Sequence, residues 1–337
     1  MRPLFQIQFV HFSQGLCGDL FVLILKKSKD LGGTYSDKDL IKVVTGIRRC
    51  GKSTLFDLYI EHLLENGVDK SQIIKLNLED PIYNELNDYL KLYNYVKDKL
   101  SSDKKNYVFL DEVQNVPEFQ RAVDGLFLNK NVDLYITGSN AYLLSGELAT
   151  LLSGRYIEIK MLPLSFKEFV EANEDDANID RLYKKYVSLG SFPYVLNFDN
   201  IDDADRYIKN IYDSIILKDI MARKRFPDFQ MFQSVVNFML DNIGNLCSTN
   251  KIADTMTSFG RSISVHTVEN YLTSLLEAFF LYKTTRYDIK GKQYLKTGDK
   301  YYVVDPGMRY FLLGRKDGNY GHVLENVVYL ELLRRGY

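Results

Sequence analysis

Between residues 40 and 160, short apolar runs rich in strand-forming residues alternate with longer segments in which apolar positions recur every three or four residues. These two periods predict strands at 41–45, 73–78, 107–110, 132–137 and 156–160, and helices at 52–65, 84–100, 117–127 and 141–152. Regular alternation of strand and helix implies an α/β fold, a parallel sheet covered on both faces. From Ser165 the pattern turns helical, over Phe166 to Ala172, Asp180 to Leu189 and Asp203 to Lys224, with a break at Gly190-Ser191-Phe192-Pro193. Beyond residue 230 come a helix from Met231 to Ile243, a segment opening at Ser248, another from Ser264 to Phe280, and two strand-like stretches around 281–287 and 300–305. Three helices and a two-stranded ribbon describe a winged helix, with Ser248 and Ser264 where N-caps are expected.

Chemistry enters directly after the first strand. Gly46-Ile47-Arg48-Arg49-Cys50-Gly51-Lys52-Ser53 has the form of a Walker A loop, and Thr54 follows inside the helix. Its glycines let backbone N–H groups approach phosphates, Lys52 reaches the terminal phosphates, and the Ser53 hydroxyl is a Mg²⁺ ligand. The start of the next helix adds a favourable field for anionic charge. Tyr107-Val108-Phe109-Leu110-Asp111-Glu112, a strand ending in two carboxylates, reads as Walker B. Asp111 would hold the Mg²⁺ hydration shell and Glu112 would polarise the attacking water. ATP and Mg²⁺ are the ligands expected.

Two further positions carry alternatives. Ser139 or Asn140, at the tip of the strand 132–137, reads either as a γ-phosphate sensor or as a turn in which Asn caps the next helix. Arg155, leaving a helix at Gly154, reads as an arginine finger in cis or from a neighbouring subunit of a homo-oligomer, or as a salt-bridged surface residue. A basic run of Lys218, Arg223, Lys224 and Arg225, with Asp219 embedded, is a solvated helix face or a contact for nucleotide or nucleic acid.

Composition narrows the partners. The chain has 337 residues, 46% of them hydrophobic and 26% charged, and a net charge of −1, so no global field draws it onto nucleic acid or an anionic membrane. No segment approaches the length of a membrane span. Three widely spaced cysteines, Cys17, Cys50 and Cys247, suit a reducing cytosol, and a cytoplasmic location is expected. Cys50 is either a thiol made reactive by the surrounding amides and Lys52 or filler at a variable loop position. The stretch from Ser264 to Phe280 contains no Lys or Arg, which argues against sequence-specific DNA readout. Residues 283–300 are basic, with Lys283, Arg286, Lys290, Lys292, Lys296 and Lys300 against Asp288 and Asp299. That wing is open to non-specific DNA binding, through Lys290 and Lys292, or to docking of an unidentified protein.

Taken in series, Gly46 to Thr54, Leu110-Asp111-Glu112-Val113-Gln114, Thr137-Gly138-Ser139-Asn140-Ala141, Leu152-Ser153-Gly154-Arg155, Leu162 to Phe169, Gly190-Ser191-Phe192-Pro193 and Leu324-Glu325-Asn326-Val327-Val328-Tyr329 resemble prokaryotic AAA-type ATPases. Such proteins join an ATPase core to a C-terminal winged-helix domain of unknown function. The resemblance covers about residues 37 to 337. It implies a P-loop NTPase sheet of the branch with an extra central strand and a catalytic Glu, ATP binding, and hydrolysis by Lys52, Ser53, Asp111 and Glu112. Residues 1–35 depart from the short helical leader of that family. The expected division is leader 1–35, ATPase core 36–164, helical lid 165–229, winged helix 230–310 and, at 311–337, the start of a restriction-endonuclease-like domain. The acidic and lysine residues that would hold that domain's metal do not occur there, so no nuclease activity is expected. The function expected is a slow ATP-driven switch that relays its nucleotide state to the winged helix; the alternative is an ATP-regulated, non-specific DNA-binding module.

Overall fold

The computed structural model describes residues 39–141, 154–173, 176, 178–224, 226, 228–285, 298–315 and 320–337. Five strands, β1 (Ile41–Thr45), β2 (Ile73–Asn77), β3 (Asn106–Asp111), β4 (Val132–Gly138) and β5 (Tyr156–Lys160), form one parallel sheet in the order β2-β3-β4-β1-β5. Strand β4 lies between β1 and β3, the extra central strand that the family resemblance implies. The phosphate-loop strand and the carboxylate strand therefore flank β4, and their C-terminal ends open on one edge of the sheet.

Period-two alternation sends neighbouring residues of each strand to opposite faces. Val44, Phe109 and Tyr135 pack against helix α1 (Lys52–Glu65). Val43, Val108, Leu110, Leu134 and Ile136 face the other way, toward α2 (Tyr89–Lys97) and α3 (Phe119–Phe127). On the α1 face, fully buried Lys42 donates to Asp133 at 2.5 Å, pinning β1 to β4 beneath the site. Helix α2 is shorter than the 84–100 expected. The chain first makes a 3₁₀ turn at Pro81–Tyr83, and the helix starts only after Asp88, whose carboxylate accepts the N–H groups of Leu90 and Lys91. The helix expected at 141–152 lies outside the described residues.

A helical block follows: α4 (Phe166–Glu171), opened by a Ser165–Glu168 capping box, α5 (Ile179–Leu189) and α6 (Ile201–Ser214). The helix expected from Asp203 to Lys224 runs unbroken from Ile201 to Met221, but it is not α-helical throughout. At Ile215 it widens into a π-helical turn, Ile215–Met221, of a kind that often marks functional sites.

Helices α7 (Phe229–Asp241), α8 (Thr249–Ser258) and α9 (Val265–Glu277) come next, with Ser248 and Ser264 capping the last two as expected. Strands β6 (Leu246–Cys247), β7 (Leu281–Thr284) and β8 (Asp299–Val303) form an antiparallel sheet in the order β6-β8-β7. Helices α10 (Pro306–Leu313) and α11 (Tyr320–Arg334) complete the chain.

The division expected between residues 310 and 311 falls inside α10, which packs against α5, α6 and α7. Asn326 of α11 clamps β8 by accepting the Val303 N–H at 2.8 Å and donating to its carbonyl at 2.9 Å, and Arg334 donates to the Pro163 carbonyl at 2.6 Å. One hydrophobic core runs from α1 through the helical block to α11. Among the described residues no helix is long and apolar enough to cross a membrane.

Candidate nucleotide-binding site

At the C-terminal edge of the sheet, the loop 46–51 turns back from β1 and launches α1. Gly46 is required there because a Cβ would collide with the Met161 carbonyl oxygen, and Gly51 because the chain turns at φ 103°. Arg49 takes a left-handed φ of 66° without being glycine, a strained conformation that only a tightly specified loop retains. Ile47 and Cys50 are buried beneath the loop, anchoring it to the core. Cys50 is therefore packing, not an exposed thiol on the cleft.

Arg48, Arg49, Gly51, Lys52, Ser53 and Thr54 line a cleft of about 330 Å³. Asp111, Glu112, Asn77 and Glu79, with Pro193 and Tyr194 of the helical block, complete its lining. Lys52 spans the loop, donating to the carbonyls of Gly46 at 3.0 Å and Ile47 at 3.2 Å, and its Nζ lies 3.6 Å from Glu112 Oε1. The tertiary structure thus gathers the loop after β1, Lys52 and Ser53 of α1, and the acids at the end of β3 around one cleft.

The two carboxylates differ in setting. Asp111 is fully buried; burial pushes its pKa up, against the opposing hydrogen bonds from Ser53 and Thr137. Its Oδ2 has no hydrogen-bond partner. An orphaned carboxylate oxygen beside a serine hydroxyl fits a hard divalent cation. Among the described residues no cluster of three or more His, Cys, Asp or Glu could hold a metal, so a cation here would be completed by phosphate oxygens and water. Glu112 follows in a left-handed conformation, φ 53°, that turns its side chain into the cleft.

Thr137, to which the sequence analysis gave no role, ties these two together: its hydroxyl donates to Asp111 Oδ1 and accepts the Glu112 N–H at 2.9 Å. Gln114 donates to Glu112 Oε2 and also to Ser139 Oγ, the latter at 3.4 Å. Ser139 and Asn140 are both buried, and Ser139 donates to Asp219 Oδ1 at 3.1 Å. Neither of the pair lines the cleft surface.

Arg48 extends away from the loop to the helical block. Its Nε and Nη2 donate to the two Asp219 oxygens at 3.1 and 3.0 Å, and its Nη1 reaches Glu79 at 3.3 and 3.4 Å. Burial works against its charge, but the hydrogen bond and charge of Asp219, with Glu112 and Glu79, hold its pKa above the ordinary value. Lys218 donates to Glu79 at 2.7 Å, and that contact keeps the Glu79 carboxyl below its usual range. Two members of the basic run are paired, Lys218 with Glu79 and Lys224 with Glu277 of α9 at 2.8 Å, while Arg223 is exposed, as a solvated face would have it. Arg225 lies outside the described residues. The only sequence signal for Asp219 and Glu79 was an acid among bases and an acid just past a strand, patterns too common to single out.

Arg155 is not brought to this site within one chain. It precedes β5, whose Tyr156 lies beside Ile41 at the N-terminal end of the sheet, about 16 Å of strand from the phosphate loop. Its Nη1 instead meets Asp124 at 3.3 Å, and its carbonyl accepts the Ile41 N–H. A finger acting in cis is corrected on this ground. The wing residues Lys290 and Lys292 lie outside the described residues.

Comparison with known proteins agrees with this geometry. Residues 38–170 match the model of an AAA domain, and residues 180–319 match a domain of unknown function. An uncharacterized protein of Haemophilus influenzae is 45% identical over 307 residues, covering 90% of this chain and 76% of the relative. An uncharacterized protein of Methanocaldococcus jannaschii is 30% identical over 333 residues, covering 93% of this chain and 72% of the relative. The fold is similar to that of a Walker-type ATPase of Pyrococcus abyssi, with a TM-score of 0.59 at 15% identity over 85% of this chain and 94% of the other. With a loop, a lysine and a carboxylate strand converging on one cleft, and with these relatives sharing most of its length, the chain belongs to a family of AAA-type P-loop ATPases.

Proposed function

We propose that the protein is an ATP-hydrolysing switch whose nucleotide state is relayed through the helical block to a C-terminal winged helix. Loop N–H groups between Gly46 and Ser53 cradle the phosphates, and Lys52 moves from the loop carbonyls to the β and γ oxygens. Ser53 and Asp111 are the residues that would hold Mg²⁺, which when bound screens charge on the β- and γ-phosphates. Glu112, already paired with Gln114 and near Lys52, takes the attacking water's proton. Ser139 and Asn140 report the γ-phosphate from behind Glu112. Arg155 serves this site only from a neighbouring subunit.

One observation carries the relay: Asp219, on the π-helical turn of the block, accepts hydrogen bonds from the phosphate loop and from the tip of β4 together. Three residues beyond that turn, Lys224 grips α9 through Glu277, and Tyr212 of α6 donates to Gln233 of α7 at 2.7 Å. A shift of the turn therefore reaches the three helices and the β6-β8-β7 sheet that form the winged-helix reading. Helix α9 offers no Lys or Arg, and Lys283 is paired with Asp299 at 2.7 Å, so neither adds support to the DNA-binding alternative.

The test is ATP turnover and nucleotide binding by purified protein and by Lys52→Ala. Loss of both in the variant is expected; binding and hydrolysis at unchanged rates would end this reading. A salt-sensitive stimulation by duplex DNA, lost on charge reversal at Lys290 and Lys292, would replace the switch with the DNA-binding alternative.

A further inference from the structure

Arg48 is the one loop side chain tied to the helical block by a forked ion pair, and its donors can be accounted for. A guanidinium carries five N–H groups. Asp219 takes one from Nε and one from Nη2, and Glu79 takes one from Nη1 between its two oxygens. One N–H on each terminal nitrogen is left over, on a residue that lines the nucleotide cleft.

The place of that guanidinium in the cleft is fixed by its neighbour. The Asp219 oxygen that accepts from Arg48 Nη2 also accepts from Ser139, whose oxygen in turn meets Gln114, the partner of Glu112. Arg48 also lines the same cleft as Asp111 and Glu112, near enough for the Glu112 charge to act on the guanidinium, which on the nucleotide-binding reading puts it within reach of the last phosphate of a triphosphate. Asp219 is 4% exposed, and a buried carboxylate beside polyphosphate would repel it if left unpaired. Two cations, Arg48 and Lys218, balance two acids, Asp219 and Glu79, so the cluster has no excess negative charge.

We propose that Arg48 reads the terminal phosphate and that Asp219 is the positioning residue that aims it, so the helical block sets the preference for triphosphate over diphosphate. The inference rests on the nucleotide-binding reading above and adds the source of its selectivity. A planar fork held by a planar carboxylate has one orientation, which a lysine or an unpaired arginine lacks. With a diphosphate bound, the spare donors have no partner, and the pair contributes nothing.

The experiment is calorimetric binding of Mg·ADP and of a non-hydrolysable Mg·ATP analogue to the full chain and to Asp219→Asn, Arg48→Gln, Arg48→Lys and the Asp219→Asn/Arg48→Gln double variant. The expected wild-type preference for the triphosphate is about ten-fold or more, the scale of a charge-assisted hydrogen bond. In each single variant that ratio falls to within about two-fold while ADP affinity holds within about three-fold, and the double variant loses nothing further because one interaction is shared. A thermal melt accompanies each variant; should Asp219→Asn unfold, the arginine variants read the same bond from its other side. Retention of the preference in a folded variant, or an ADP affinity that falls in step with the triphosphate, overturns the inference. Wild-type protein that binds neither nucleotide overturns the nucleotide-site reading itself, a result distinct from either.

Discussion

Thr137 holds Asp111 by donating to its Oδ1 and holds the Glu112 backbone by accepting its N–H at 2.9 Å, so one hydroxyl on β4 sets both acids at the end of β3. All three groups are buried. Replacing Thr137 by Val keeps the shape and strands an acceptor and a donor, at a cost of about 1–3 kcal/mol. We expect a lower urea midpoint and turnover reduced about ten-fold or more, with Thr137→Ser close to wild type. A Val variant with wild-type turnover would show that Glu112 needs no such support.

Asp111 gives a pH prediction. Burial raises its pKa in the folded protein, so between the unfolded and the folded pKa the folded state holds a proton that the unfolded state has released. Stability from this group is present below the unfolded value of about 3.8 and is lost as pH rises through the folded pKa. At neutral pH the ionised, half-satisfied carboxylate is thus a burden kept for function. Asp111→Asn should raise the melting temperature at pH 7 by a few degrees, by less at pH 4, and abolish hydrolysis. An equal shift at both pH values would contradict the assignment.

Gly46 tests the loop geometry without touching charge. An added methyl meets the Met161 carbonyl, so Gly46→Ala should displace the loop. The predicted outcome is loss of nucleotide binding together with about 1–3 kcal/mol of stability, measured by calorimetry and denaturant titration. Gly67→Ala is the control: its φ is 86°, yet nothing lies within 4 Å of the new methyl, so only backbone strain is expected, about 1 kcal/mol, with binding intact.

Arg155 separates subunits from monomers. Paired with Asp124 at the far end of the sheet, it cannot reach the phosphates of its own chain. Arg155→Ala should leave nucleotide affinity unchanged in dilute protein. If the residue acts from a neighbour, wild-type specific activity rises with protein concentration and the variant's does not. Turnover independent of both concentration and residue 155 would remove Arg155 from the mechanism.

The sheet, the loop and the carboxylate pair were legible in the sequence because each is a local pattern: period-two apolar runs, a glycine-spaced loop, and acids ending a strand. The central place of β4 was implied by the family resemblance and by no local pattern of its own. Helix ends were less legible where capping decided them, as at Asp88, which delays α2 past Asn84. What only the tertiary structure decided is which distant groups share a charge or a proton. Asp219 meets Arg48 across 171 positions, Thr137 meets Asp111 across 26, and Arg155 is carried to the wrong end of a strand for its own chain. Periodicity reports which face of an element is buried; the partner that a buried carboxylate finds depends on how elements far apart in the chain are packed, and there the π-helical turn and the order of strands settle the outcome.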